Sequence, residues 1–135
     1  MRVWDISAGQ TLLTYTGYTS TVFSVTWSPD GKRLASASQD QTVRVWDPSG
    51  GRTLRIYTAH VGAVRNVSWS FDDTLLASAS EDQTVRVWDP STGQTLLTYT
   101  GHTGTVNSVA WSPDGERLAS ASNDQTVRVW LWLEG

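Results

Sequence analysis

The sequence predicts an all-β protein made of three copies of one four-strand unit. Three observations carry this. Tryptophans recur at positions 4, 46, 88 and 130, and again at 27, 69 and 111, always 42 residues apart. The heptapeptide DQTVRVW occurs three times, beginning at Asp40, Asp82 and Asp124. Each unit holds short runs rich in Val, Thr, Leu, Tyr and Trp, broken by turn-forming residues, and none has a helical period of useful length.

The units span residues 5–46, 47–88 and 89–130, with residues 131–135 left as a tail. The first and third differ at 8 of 42 positions and the second and third at 15, so the middle unit is the divergent one. Within a unit the runs are TLLTYT, TVNSVAW, RLASAS and QTVRVW or their variants. Turn chemistry separates them: SPDG at 28–31 and 112–115, DPSG at 47–50, DPST at 89–92 and GHTG at 101–104. That predicts twelve strands, with the chain cut out of phase. Residues 11–16 are expected to be an outer strand with no sheet of their own, and residues 1–4 a displaced, redundant piece of third strand.

Composition sets the limits on function. Lys and Arg total 10 against 13 Asp and Glu, for a net charge of -3, which argues against nucleic acid as a partner. There is no cysteine for a thiolate site, and two histidines cannot build a His-rich metal centre. No apolar run reaches the length of a helical membrane span, and a cytoplasmic setting is expected. No cofactor is expected. A G-x-S-x-G elbow and a Gly-rich phosphate loop are both missing, and the expectation is a protein that is not an enzyme. Asn66-Val67-Ser68 matches a glycosylation acceptor but falls in a predicted inner strand. Arg44, Arg86 and Arg128 recur in the third strand; they are expected to be local ion-pair or edge-solvating residues rather than a basic ladder for an anionic partner.

The period, the Gly101-His102 dipeptide, the SPDG turn, the S-A-S-x-D segment and the closing Trp-Asp at 46–47 and 88–89 resemble the WD-repeat β-propeller family. The resemblance covers residues 5–130. It implies three four-stranded propeller blades and a protein-interaction scaffold. It also implies a hydrogen-bonded tetrad in each blade: His60, Ser78, Asp82 and Trp88 in the second, and His102, Ser120, Asp124 and Trp130 in the third. The first offers Ser36, Asp40 and Trp46, with Tyr18 where His is expected. By the same correspondence a partner protein or peptide would meet a top face of Thr21, Phe23, Gln39, Ala63, Arg65, Glu81, Thr105, Asn107 and Asn123. Positions 23, 65 and 107, which carry Phe, Arg and Asn, vary most in character.

Propellers usually close with four to eight blades, so three should form an open arc. The expectation is a cyclic homo-oligomer closed by strand exchange, in which one chain lends residues 11–16 to the third strand of the next. Leu12, Leu13 and Tyr15 would meet Val127 and Val129 at that junction. A trimer of nine blades is favoured over a dimer of six, because six would crowd the inner strands. The rival reading is a self-assembling building block with no ligand at all.

Overall fold

The computed structural model describes residues 1–132. Thirteen strands follow one another without a helix among those residues: β1 (Arg2–Trp4), β2 (Thr11–Thr14), β3 (Val22–Trp27), β4 (Leu34–Ser38), β5 (Val43–Trp46), β6 (Thr53–Tyr57) and β7 (Val64–Trp69), then β8 (Leu76–Ser80), β9 (Val85–Trp88), β10 (Thr95–Tyr99), β11 (Val106–Trp111), β12 (Arg117–Ser122) and β13 (Val127–Leu131).

They form two complete antiparallel four-stranded blades, β3-β4-β5-β6 and β7-β8-β9-β10. A three-stranded sheet, β11-β12-β13, and a two-stranded one, β1-β2, complete the set. The out-of-phase cut is therefore real, since each full blade takes its outer strand from the next sequence unit. One expectation fails. Residues 1–4 are not displaced and residues 11–16 are not orphaned, because β1 pairs with β2 inside the chain. The reason is register. Trp4 faces Thr11 as Trp46 faces Thr53 and Trp88 faces Thr95, so β1 and β2 are the third and fourth strands of a further blade.

One tight turn recurs at three equivalent places. Gln41, Gln83 and Gln125 each follow an Asp with φ between 73° and 75°, the left-handed region that costs non-glycine residues energy. The Asp before each glutamine offsets this by accepting from the Thr after it, as in Thr42 N–H to Asp40 Oδ1 at 3.0 Å.

The core lies between blades rather than inside them. A blade presents small and β-branched residues from its second and third strands to the next, which receives them on its inner-strand valines and tryptophan. Ala35, Ala37, Val43, Val45 and Tyr57 pack in this way on Val64, Val67, Trp69, Leu76 and Trp88. Ala77, Ala79, Val85 and Val87 pack on Val106, Val109 and Leu118. The half-blade does less. Met1, Val3, Leu13 and Tyr15 cover Leu34 and Trp46, but no second-strand alanines stand beside them.

Both ends of this stack are consequently open. Val127 and Val129 are 69% and 64% exposed, although their counterparts Val43, Val45, Val85 and Val87 are buried. At the opposite end Val25 and Trp27 are 53% and 50% exposed, against 3% and 6% for Val67 and Trp69. Truncation of a buried valine leaves a cavity, while truncation of an exposed one does not. In dilute solution Val87→Ala is expected to cost about 2 kcal/mol and Val129→Ala less than about 0.5 kcal/mol, read by urea denaturation. Equal costs would mean that the last sheet is not open.

Candidate functional site

Each blade repeats a polar chain in its wall. In the second blade the Trp88 indole N–H donates to Ser78 Oγ at 3.2 Å. Ser78 Oγ lies 2.7 Å from His60 Nε2, and His60 Nδ1 lies 2.8 Å from Asp82 Oδ2. Only one proton order satisfies this chain: indole to hydroxyl, hydroxyl to Nε2, and Nδ1–H to carboxylate. Asp82 also accepts from the Thr84 hydroxyl at 2.6 Å and the Val61 N–H at 3.1 Å. Burial alone would raise the Asp82 carboxyl, but the His60 and Thr84 hydrogen bonds outweigh it and hold it well below the usual carboxylate range.

The third blade reproduces most of this. His102 lies 2.8 Å from Asp124 Oδ2 and 2.7 Å from Ser120 Oγ. The Thr126 hydroxyl is the main influence that depresses Asp124, opposed by desolvation and reinforced by His102. Among the described residues, however, the Trp130 indole finds no acceptor, and neither does that of Trp46. The expected tetrads at those two tryptophans are thus incomplete. Tyr57 stacks on Trp88 at 4.1 Å between centroids, whereas Tyr15–Trp46 and Tyr99–Trp130 stand at 4.7 Å. The closest stack coincides with the complete chain.

The first blade departs further. Tyr18 Oη reaches Ser36 Oγ at 2.6 Å and donates to Ser36 O at 2.7 Å. It does not reach Asp40. The Arg44 guanidinium approaches instead, 3.9 Å from Asp40 and 4.9 Å from the centre of the Tyr18 ring. Among the described residues Arg44 forms an ion pair, and Arg86 and Arg128 form none.

A Ser-His-Asp set invites comparison with a hydrolase. Here Ser78 Oγ is enclosed, already takes the Trp88 N–H, and has no open side from which a carbonyl could approach. The set acts as a strut.

The face at the start of the inner strands is different in kind. A β-bulge interrupts each inner strand between Val22 and Ser24, between Val64 and Asn66, and between Val106 and Ser108. The residue left outside the ladder is Phe23, Arg65 or Asn107. A bulge re-aims its extra residue away from the sheet, so these positions vary without disturbing the pairing. Backbone bonds at 2.9 Å hold their neighbours close: Gln39 N–H to Thr21 O, Glu81 N–H to Ala63 O, and Asn123 N–H to Thr105 O.

These side chains do touch one another. The Arg65 guanidinium lies 4.4 Å from the Phe23 ring centre and forms an ion pair with Glu81. Asn107 Nδ2 donates to Asn123 Oδ1 at 2.6 Å. Phe23, Gln39, Glu81, Asn107 and Asn123 are exposed, Arg65 and Thr105 are half-buried, and Thr21 is exposed at the rim. Ala63 is the exception at 7% exposed, because its strand is covered on both sides, and it drops out of the surface set. Of the expected junction residues, Leu12 is exposed and Leu13 half-buried, but Tyr15 is already buried against Trp46, with its hydroxyl 2.5 Å from Thr53 Oγ1.

Sequence reasoning missed the role of Asn66. Its amide donates to Ser24 Oγ at 3.1 Å, and its carbonyl oxygen accepts from Val109 N–H at 3.1 Å, which ties three inner strands together. The equivalent residues in the other units are serines, and that substitution was the available signal.

Histidine at position 18 would supply the two ring nitrogens that the first blade lacks. Tyr18→His is expected to stabilise the chain by about 1 kcal/mol, seen as a rise in Tm, with no change in secondary structure. A lower Tm would show that Tyr18 and Arg44 have built a better substitute.

The family model described as WD domain, G-beta repeat matches three times, over residues 9–47, 51–89 and 93–130. Among curated proteins, coronin-7 from Rattus norvegicus is 46% identical over 44 residues, which is 33% of this chain and 5% of coronin-7. Coronin-7 from Homo sapiens and from Mus musculus are each 43% identical over 44 residues, with the same shares. The chain thus spans a small fraction of the length of the curated relatives it matches, about one repeat of each. Three matched repeats over most of its length, on blades with this register, show that the chain belongs to the WD-repeat family.

Proposed function

We propose that this chain is a non-enzymatic scaffold that captures a protein or peptide on the face where its inner strands bulge. The observation that supports this reading is the bulge itself. Three near-identical blades place their most dissimilar side chains, Phe23, Arg65 and Asn107, at the one position the ladder leaves unpaired. The set combines a flat aromatic and a cation held over it, residue types that make interface anchors when water is excluded, with one amide bonded to the neighbouring Asn123. The tetrads stiffen the walls beneath, which lowers the entropy cost of binding.

The scaffold is also read as a closed ring of several copies. The two exposed faces are related by the repeat. Val127 and Val129 at one end match the residues that Val67 and Trp69 receive inside the chain, and Val25 and Trp27 at the other end match Val67 and Trp69. A contact already made twice within the molecule can therefore be made again between molecules. Burial of each exposed valine is worth ~1.5–3 kcal/mol. Three copies are favoured over two because nine blades relax the inner strands at the axis. A ring would repeat the bulge face around its rim and favour multivalent partners.

The face is tested with a phage-displayed library of random peptides selected on the immobilised chain. Clones enriched on the unmodified protein are expected to bind Phe23→Ala/Arg65→Ala/Asn107→Ala at least ~10-fold more weakly, since hot-spot truncations cost 1.4 kcal/mol or more. Equal binding to both would place recognition elsewhere on the molecule.

A further inference from the structure

The ring reading leaves one position claimed twice. β1 sits on the inner edge of β2 in the register that β5 uses on β6 and β9 uses on β10. β13 carries the same Val-Arg-Val-Trp sequence as β5 and β9, and no strand lies on its outer edge among the described residues. If β13 of a second copy is to gain a fourth strand from β2, it must enter where β1 now lies. The two strands share the sequence Arg-Val-Trp and cannot occupy one edge together.

We infer that β1 is a built-in competitor for assembly: it caps β2 in the single chain, and β13 of a second copy displaces it. This rests on the ring reading above and adds the step that controls it. β1 is suited to leave. It contributes only three residues, and Trp4 is largely exposed. The incoming strand is longer, spanning Val127–Leu131, and it arrives with β12 alongside.

The second-strand alanines matter most. β1 brings no equivalent of Ala35 and Ala37, which is why Val25 and Trp27 stay half exposed above it. Those two residues line an apolar pocket of about 340 Å³ with Val3, Trp4, Ile6 and Leu34. Ala119 and Ala121 of an incoming β12 stand at the positions that fill the corresponding space between the complete blades.

Cysteine chemistry tests this directly because the chain has none of its own. Met1 and Tyr15 exchange backbone bonds, so Arg2 and Thr14 are the adjacent, closely spaced non-bonded pair. Arg2→Cys/Thr14→Cys should form one disulfide that locks β1 in place. Light scattering is read on the oxidised and the reduced protein, and on a chain with residues 1–4 removed, with circular dichroism checking that each is folded. The oxidised form is expected to keep the mass of one chain and to associate on reduction. The shortened chain is expected to associate at a concentration at least ~10-fold lower than the intact one. Equal association of oxidised and reduced protein would overturn the inference while leaving the ring in place. A single-chain mass for all three would overturn the ring reading and this inference with it.

Discussion

The contact on which this molecule depends is the one between successive blades. A pair of third-strand valines and two second-strand alanines lean on the inner-strand valine and tryptophan of the next sheet, and a tyrosine from the outer strand stacks on its third-strand tryptophan. A single blade has no other apolar face to bury, so its stability is borrowed from its neighbours. Near-identity of the units follows from this. Each blade must be a good guest on one side and a good host on the other, and one solution serves every interface.

The polar chain within the wall plays a second part. It crosses the blade from the third-strand tryptophan to the turn aspartate and leaves no buried donor idle where it is complete, in the second blade. That blade is also the one packed on both sides. In the first, Tyr18 and Arg44 replace histidine, and in the third the indole of Trp130 is left without an acceptor. Packing alone does not order these groups: Trp46 and Trp88 are equally buried, at 1% and 0% exposed, yet only the Trp88 indole has an acceptor among the described residues.

Much of this was legible in the amino acids. The spacing of Trp4, Trp46 and Trp88 fixed the period, and alternating Val and Thr in short runs fixed the strands. His60, Ser78, Asp82 and Trp88 could be grouped because the family resemblance assigns them a shared network, and the fold brings them within hydrogen-bond reach. The bulges were not legible. Their cause is a one-residue mismatch between two strands, and nothing in the letters at Phe23, Arg65 or Asn107 reports it. Nor was the pairing of β1, since three residues carry too little pattern to reveal that their register copies β5. The burial of Ala63 and the two hydrogen bonds made by Asn66 arise from neighbours in other units, which local reading cannot supply.

The two open faces join these themes. They are open because the sheet at each end of the stack has no next blade among the described residues, and they are apolar because they were built to have one. Exposed strand edges of this kind associate unless something blocks them. Hydrogen exchange read residue by residue along β13, over a range of protein concentrations, tests the central claim. The outer-edge amides of Val127–Leu131 should gain protection as concentration rises, while those of Val85–Trp88 in β9 stay constant. Exchange in β13 that is fast and independent of concentration would contradict the account.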